Sequence, residues 1–266
     1  MSFRSVEISN PAFTPPGVSM VTVKSAALGR RADLSCYVPQ GVKPGPLPLV
    51  ILLHGVYGSH WAWLLKGGAH LVLERLIAEE NLPPMMLAMP SDGLWGDGSA
   101  YVIHEDADYA RWVVEEVPAA AALVEPAVTG APLFIAGLSM GGYGAMRLGA
   151  VHADKFAAIS AHSSATKLDH LFHISEEKPD QYRLPGQPPL NVIDCLMAAH
   201  DRLPPLRFDC GSEDFLVEAS RLLHRQLDEQ GILHQYDEFA GIHDWPYWTE
   251  HLADSLRFFA RYLPKQ

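Results

Sequence analysis

Short apolar runs separated by amphipathic stretches follow one another along the chain from residue 49 onward. Leu49–Leu53 is apolar at every position, which is typical of a parallel strand buried on both faces. Further predicted strands in this part of the chain are Met85–Met89, Leu133–Ala136, Ala157–Ser160, Leu206–Cys210 and Leu233–Glu238. Apolar residues recur at helical spacing in Trp63–Glu80, Ala107–Val117, Phe215–Gln230 and Trp248–Leu263. The alternation predicts an α/β fold with a mostly parallel central sheet and helices on both faces.

Two segments depart from this alternation. Before residue 49, Val21–Ser25 and Ala32–Val38 have the pattern of short strands, and we expect them to extend one sheet edge as an antiparallel hairpin. Between residues 163 and 205 the chain is rich in proline, histidine and charge, which predicts a short insertion over one end of the sheet. That insertion is either a lid or a simple surface excursion. Residues 1 to 266 are expected to form a single domain.

Composition narrows the range of partners. The chain has 266 residues and is 48% hydrophobic, which excludes disorder as its default state. Its net charge of −11 argues against nucleic acid, because surfaces that bind nucleic acid need clustered positive charge. No apolar run is long enough to cross a bilayer, and the first twenty residues lack the apolar core of a secretion signal. Three cysteines without a CxxC pair predict a reduced, cytoplasmic protein, and a homo-oligomer is compatible with all of these features.

The sharpest local signal is a serine between two glycines. The predicted strand Leu133–Ala136 runs into Gly137-Leu138-Ser139-Met140-Gly141, and a helix of small residues follows. A Gly-x-Ser-x-Gly string at a strand-to-helix turn is a nucleophile elbow, which raises the serine hydroxyl above the sheet edge. Side chains at the glycine positions would collide with neighbouring backbone. Ser139 is therefore the candidate nucleophile, and a glycine-rich turn with a structural serine is the alternative.

A serine nucleophile needs a histidine base, and the base needs a carboxylate that orients it. In folds with this elbow, the acid and then the histidine follow the serine along the chain. Asp214 comes just after the predicted strand Leu206–Cys210, which makes it the candidate acid. Asp209, inside that strand, and Glu213 are its rivals, and capping the next helix is its alternative role.

Position along the chain also separates the histidines. Those beyond the acid that fall inside predicted helices or strands are His224, His234 and His251. His243 instead falls in a loop between the last strand and the last helix. Asp244 suits the cap of that helix and Pro246 its first turn, which places His243 at the carboxyl edge of the sheet with Ser139. His243 is therefore the candidate base, with a solvated loop histidine as the alternative.

Acyl-transfer chemistry also requires two donors that face the developing oxyanion. The amide of Met140, directly after the serine, is the first candidate. The second is expected in the loop after the first parallel strand, where Val56 is the candidate and Tyr57 the alternative. His54, at the start of that loop, is expected to brace it by hydrogen bonds.

Aromatic residues lie near the same loops along the chain. Tyr57, Trp61 and Trp95 are candidates for a substrate pocket, and ordinary core packing is the alternative for each. Asp92 and Asp97 hint at a metal-binding loop, but their spacing and the missing distal glutamate argue against one. We therefore expect no metal.

Four strings together resemble the α/β-hydrolase superfamily. Within it they resemble the esterase group that includes esterase D/S-formylglutathione hydrolase, tributyrin-type esterases, feruloyl and acetyl-xylan esterases and the mycolyltransferase antigens. The resemblance implies a triad of Ser139, His243 and Asp214, oxyanion donors after Gly55 and at Met140, and no cofactor. The strings are Leu52-Leu53-His54-Gly55, Gly137-Leu138-Ser139-Met140-Gly141-Gly142-Tyr143-Gly144, Cys210-Gly211-Ser212-Glu213-Asp214-Phe215 and His243-Asp244-Trp245-Pro246-Tyr247-Trp248.

The residues and the resemblance predict a serine carboxylesterase that hydrolyses small acyl esters through an acyl-enzyme intermediate. The expected partner is thus a small-molecule ester. Two enzymatic alternatives remain, an acyltransferase that uses an alcohol or sugar acceptor and a thioesterase like S-formylglutathione hydrolase. A third alternative is a non-catalytic binding protein with the same fold, which fluorophosphonate labelling of Ser139 would exclude.

Overall fold

A computed structural model describes residues 3–93, 96–176, 182 and 184–264. In chain order its strands are β1 (Val6–Ile8), β2 (Val18–Lys24), β3 (Arg31–Tyr37), β4 (Leu49–Leu53), β5 (Met86–Pro90), β6 (Leu133–Leu138), β7 (Ala158–His162), β8 (Leu206–Gly211) and β9 (Gln235–Phe239). They form one sheet in the order β1-β2-β3-β5-β4-β6-β7-β8-β9. Pairs from β5 to β9 are parallel, and β1, β2 and β3 extend one edge in antiparallel fashion. The mostly parallel sheet and its antiparallel edge, both predicted from sequence, are confirmed.

Helices cover both faces of this sheet, which explains why β4, β5, β7 and β8 are buried at every position. The α-helices are α1 (Ala69–Glu80), α2 (Tyr109–Arg111), α3 (Val117–Val124), α4 (Met140–Val151), α5 (Leu168–Leu171), α6 (Val192–Ala198), α7 (Val217–Glu229) and α8 (Trp245–Ala260). Alternate residues of β4 point to opposite faces: Val50 and Leu52 pack with α1 and α8, whereas Ile51 and Leu53 pack on the side of α3, α4 and α7.

Two predicted helices are interrupted in the structure. The first, predicted over 63–80, is a π-helical turn at Ala62–Lys66 followed by α1, because Gly68 adopts a left-handed conformation (φ 56°) between them. The second, predicted over 107–117, contains another π-helical turn, Trp112–Glu116, and then continues as α3 to Val124. Pro118 does not stop it, since a proline in the first turn of a helix interrupts no internal hydrogen bond.

Strand boundaries differ from the prediction at the sheet edges. Strand β1 was not predicted, because all three of its residues are exposed and show no alternation. At the other edge, β9 begins at Gln235, since Leu233 is an exposed residue of the preceding turn. The last helix begins at Trp245, three residues earlier than predicted, and the Asp244 side chain accepts a hydrogen bond from the Tyr247 amide at its start.

The predicted insertion, residues 163–205, lies between β7 and β8 and contains α5 and α6. Its second half is fastened to α4: the buried Arg147 donates to the Pro189 carbonyl (2.7 Å) and the Tyr143 hydroxyl to the Leu190 carbonyl (2.6 Å). Its first half reaches the Asp97 carboxylate, which accepts a hydrogen bond from the Glu176 amide at 2.7 Å. A lid function for this segment stays a prediction. Within the described ranges, every helix is too short or too polar to cross a membrane.

Candidate active site

The predicted elbow has strained backbone geometry. Ser139 lies between β6 and α4 with φ 54° and ψ −118°, a conformation that non-glycine residues rarely adopt. The flanking glycines permit this turn: a Cβ at Gly137 would lie 2.3 Å from the Gly141 carbonyl oxygen, and one at Gly141 would lie 2.2 Å from that of Leu53. Ser139 is thus held at the end of a central strand, with the start of α4 directly behind it.

The loops after β8 and β9 bring two further predicted residues to Ser139. The Nε2 atom of His243 lies 3.1 Å from Ser139 Oγ, and its Nδ1 atom lies 2.8 Å from Asp214 Oδ2. The two loops are held together, because the Glu213 amide donates to the Gly241 carbonyl and a Cβ at Gly211 would lie 2.4 Å from the same oxygen. A continuous hydrogen-bonded chain therefore runs from hydroxyl to imidazole to carboxylate.

Electrostatics favour the ionised form of Asp214. Burial raises the pKa of this carboxyl, but hydrogen bonds from His243 and from the Leu216 amide (2.8 Å) outweigh burial and hold the pKa below its ordinary value. An ionised carboxylate accepts the Nδ1–H of His243, so the neutral ring presents an Nε2 lone pair to the Ser139 hydroxyl. With 17% of its side chain exposed, His243 is also reachable by solvent.

The rival residues are occupied elsewhere. Asp209 is wholly buried inside β8, where it forms an ion pair with Arg207, and Glu213 is exposed at the surface. Asp214 Oδ1 also accepts a hydrogen bond from the Leu216 amide, but the residue that caps α7 is Leu216, so the structure does not bear out a capping role for Asp214. The remaining histidines after the acid have other partners, which are His234 for His224, His224 for His234 and Asp254 for His251.

The two predicted oxyanion donors flank Ser139. Met140 is the first residue of α4, where amides have no partner within the helix. Val56 follows Gly55, whose position is so close to the elbow that a Cβ there would lie 3.3 Å from Ser139 Cβ. The alternative donor, the amide of Tyr57, is already bonded to the Asp97 carbonyl at 2.8 Å. The geometry therefore favours the Val56 amide over that of Tyr57.

His54 braces this loop, as expected. Its Nδ1 donates to the Gly55 carbonyl at 2.7 Å, and its Nε2 lies 3.8 Å from Asp92 Oδ1. The Asp92 carboxylate in turn accepts from the Ser99 amide, and the Tyr101 hydroxyl donates to the His54 carbonyl. Asp92 is therefore a structural residue of the loop.

Of the predicted pocket residues, Tyr57 is 66% exposed, and its hydroxyl donates to the Ile174 carbonyl at 3.2 Å, so it links the oxyanion loop to the insertion. Trp61 is half-buried and packs beneath the ammonium of Lys66. Trp95 lies outside the described residues. The structure thus places Tyr57 in contact with the insertion.

Sequence reasoning missed two rings that flank His243. Phe215, which is 60% exposed, lies 4.5 Å from the imidazole between ring centroids, and Trp248 contacts it edge-on at 4.9 Å. The available signals were that Phe215 directly follows the candidate acid and that Trp248 lies one helical turn after Asp244. Together the two rings restrict the orientations open to the imidazole.

The chain resembles known esterases in sequence and in fold. Residues 25–259 match the family described as Putative esterase. An acetyl esterase of Caldicellulosiruptor saccharolyticus is 28% identical over 234 residues, which cover 81% of this chain and 84% of the relative. A ferulic acid esterase structure superposes with a TM-score of 0.79 at 23% identity and covers 99% of this chain and 100% of its own. Fluorophosphonate-binding serine hydrolase F of Staphylococcus aureus has a TM-score of 0.77 at 21% identity, with coverage of 93% and 99%.

The structural matches confirm the predicted α/β-hydrolase fold. The family match, which spans most of the chain, confirms the predicted esterase group. The chain therefore belongs to the Putative esterase family and is a carboxylic ester hydrolase.

Proposed function

We propose that this esterase hydrolyses small acyl esters with Ser139 as nucleophile, His243 as general base and Asp214 as the carboxylate that orients it. The observation that carries the proposal is the hydrogen-bonded chain of 3.1 Å and 2.8 Å that joins these three side chains at the strained turn. The lowered pKa of Asp214 favours its carboxylate form, which accepts the Nδ1–H of His243 and leaves Nε2 to accept the serine proton.

The reaction proceeds in two halves. Ser139 Oγ attacks the ester carbonyl carbon while His243 Nε2 takes the hydroxyl proton, and the amides of Val56 and Met140 stabilise the resulting oxyanion. When the tetrahedral intermediate collapses, the carbon–oxygen bond to the alcohol breaks and His243 returns the proton to the leaving alkoxide. Water then attacks the acyl-enzyme with His243 again as base, and the acid and free Ser139 are released.

Tight packing beside the oxyanion donors supports a small acyl group. A Cβ at Gly98 would lie 2.3 Å from Met140 Sδ and 3.6 Å from Val56 Cγ1, so the backbone of this loop closes against both donor residues. The matching acetyl esterase also points to a short acyl chain. Exposed rings at Tyr57 and Phe215 are available to the alcohol part of the substrate.

The setting proposed for this activity is the cytoplasm. All three cysteines, Cys36, Cys195 and Cys210, are buried free thiols, and burial raises their pKa values to about 12, 11 and 12. Such thiols are unreactive and form no disulfide, as is usual for proteins of reducing compartments. Subcellular fractionation of the esterase activity checks this part of the proposal.

Covalent labelling and an ester series test the function. A fluorophosphonate probe is expected to add once per chain, and peptide mapping is expected to find it on Ser139. A series of p-nitrophenyl esters from acetate to long chains is expected to give kcat/KM values that fall as the acyl chain lengthens. Labelling at another residue would refute the assigned nucleophile, and a preference for long chains would refute the assigned substrate class. Product analysis with an added alcohol separates hydrolysis from acyl transfer.

A further inference from the structure

A second group of ligating side chains lies between the end of α7 and the start of β9. His224 and Asp228 are one helical turn apart on α7, and His234 immediately precedes β9. One ligand atom from each residue lies within 4.8 Å of the other two. Within this group, His224 Nδ1 is 2.8 Å from His234 Nε2, and His224 Nε2 is 3.5 Å from Asp228 Oδ2.

Hydrogen bonds determine which nitrogen of His234 carries its lone pair. His234 Nδ1 lies 2.8 Å from the Ile232 carbonyl, which can only accept, so the neutral ring presents its Nε2 lone pair to His224. His224 Nδ1–H therefore donates to that lone pair, and the exposed Asp228 carboxylate lies 3.5 Å from the other nitrogen of His224. A metal ion bound by both rings would take the place of the hydrogen bond between them. In many metal sites, a ligating histidine donates its other ring N–H to a backbone carbonyl, as His234 does here.

Aromatic rings pack against both imidazoles. His234 stacks on Phe208 with ring centroids 5.6 Å apart and planes 16° from parallel. His224 lies against Tyr236 with its ring centroid 4.9 Å away. Arg221, three residues before His224 on α7, is paired with Glu218 and Glu238, so its charge is compensated. The side chains of the cluster are therefore oriented by neighbours that do not compete for an ion.

We propose that His224, Asp228 and His234 bind one divalent transition-metal ion such as Zn²⁺. Imidazole nitrogen suits zinc, copper and nickel, whereas magnesium and calcium select oxygen ligands. Both rings must rotate until one nitrogen lone pair of each faces the ion, at metal–nitrogen distances of about 2.0–2.1 Å. Asp228, whose carboxylate is largely exposed, supplies the third ligand and a negative charge, and water completes the coordination.

The ion would join α7 to the start of β9 across the Gly231 turn. Because β9 runs away from His234 toward the loop of His243, its five residues separate the two sites by about 17 Å. The ion is thus expected to stabilise the fold and to leave ester hydrolysis unchanged.

Titration of the tag-free protein with ZnCl₂ tests the site, by calorimetry and by thermal unfolding. We expect one ion per chain, and a rise in Tm of about 2–4 °C when free zinc is about five times its Kd. His224→Ala and His234→Ala are expected to abolish this rise, and Asp228→Asn, an exposed and mild change, to weaken binding severalfold. MgCl₂ is expected to give no rise. Circular dichroism of each variant checks that it is folded.

His200→Ala is the matched control, since among the described residues His200 pairs only with the adjacent Asp201, at 3.1 Å on an exposed turn. This variant is expected to bind zinc like the unaltered protein. The proposal is overturned if the unaltered protein shows no saturable binding, or if His224→Ala and His234→Ala bind as well as it does. Binding that is lost in His243→Ala but kept in His224→Ala would assign the ion to the ester site and overturn the proposal equally.

Discussion

The part of the molecule that the structure describes holds two hydrogen-bonded chains of serine, histidine and aspartate, and the two differ in their access to solvent. Beside Ser139, His243 and Asp214, the structure contains Ser255, His162 and Asp209. His162 Nδ1 lies 2.9 Å from Asp209 Oδ2, and its Nε2 lies 2.7 Å from Ser255 Oγ. The connectivity is the same in both chains, yet Ser255, His162 and Asp209 are all inaccessible to solvent. We call this second set the buried chain.

Access and backbone geometry separate the two sets. Ser139 sits at a strained turn with helix-start amides behind it, whereas Ser255 lies within α8, where the surrounding amides are bonded inside the helix. In the buried chain, Ser255 Oγ also contacts Ser160 Oγ at 2.6 Å, and Asp209 pairs with Arg207 at 2.7 Å. The buried chain therefore joins β7, β8 and α8. Order of hydrogen bonds alone does not identify an active site, because a reacting carbonyl must also reach the serine and find oxyanion donors.

The buried chain nevertheless supports the proposed triad. Tyr247, in the first turn of α8, donates to Asp209 Oδ1 at 2.9 Å. Its ring occupies the space beside Gly241, where a Cβ would lie 2.6 Å from Tyr247 Cδ2. Since Gly241 is two residues before His243, the buried aspartate helps to hold the loop that carries the base.

The largest expected effect separates the two serines. Ser139→Ala is expected to lower kcat for p-nitrophenyl acetate by about 10⁴-fold to 10⁶-fold, because no other group supplies the nucleophile. Ser255→Ala is expected to keep activity within about threefold, as a change remote from the reacting atoms should. Initial rates with matched protein concentrations decide the comparison. Equal losses in both variants would contradict the assignment.

The two aspartates are expected to differ in what their loss affects. Asp214→Asn is expected to reduce kcat by about 10³-fold to 10⁴-fold, because the amide no longer favours the required tautomer of His243. Asp209→Asn is expected to lower the free energy of unfolding by about 3–5 kcal/mol, since it leaves Arg207 buried without its main partner. Urea denaturation and initial rates, measured on both variants, test whether Asp214 mainly affects activity and Asp209 mainly affects stability. An Asp209→Asn protein of full stability would show that the buried chain does not cross-link the fold.

Lowering the pH is expected to weaken both hydrogen-bonded chains over the same pH range. Burial raises the pKa of Asp209, but His162, Arg207 and Tyr247 outweigh it, so the pKa of Asp209, like that of Asp214, lies below the ordinary value of 3.8. A carboxyl whose pKa is depressed by folding adds stability above its unfolded pKa, and that stability is lost as pH falls through the lower folded pKa. The free energy of unfolding is therefore expected to be steady near pH 6 and to fall below about pH 4. Asp209→Asn is expected to reduce this loss of unfolding free energy at low pH. An unchanged pH dependence in that variant would show that Asp209 does not cause the loss.

The smallest expected effect concerns Tyr247, which links the buried chain to the loop of His243. Tyr247→Phe removes one hydrogen bond to a charged acceptor and is expected to cost about 1.5–3 kcal/mol of unfolding free energy. Because the ring remains beside Gly241, kcat is expected to change by less than about tenfold. Tyr247→Ala removes the ring as well and should reduce kcat further. Similar kcat values for the two variants would show that the ring does not position His243.

Some features could be predicted because they depend on neighbours in the chain. β4 matches its predicted bounds, since burial on both faces demands a continuous apolar run. The strained turn at Ser139 could be predicted from the two glycines that flank it in the sequence. By contrast, the π-helical turns and β1 carry no periodic signal of their own. His224 and His234 fell in a predicted helix and a predicted strand, and nothing in their spacing of ten residues indicates that their rings meet.

By itself the sequence determined the parallel sheet, the family and the three residues of the proposed triad. Strand burial, glycine-dependent turns and the order of residues along the chain can all be recognised from the sequence without knowing which distant residues meet. Only the tertiary structure decided which serine, histidine and aspartate stay buried, which rings flank His243, and that His224 and His234 share one site. Those outcomes depend on how helices α7 and α8 pack against the sheet. Side chains distant along the chain become partners there, and their solvent access is set by packing.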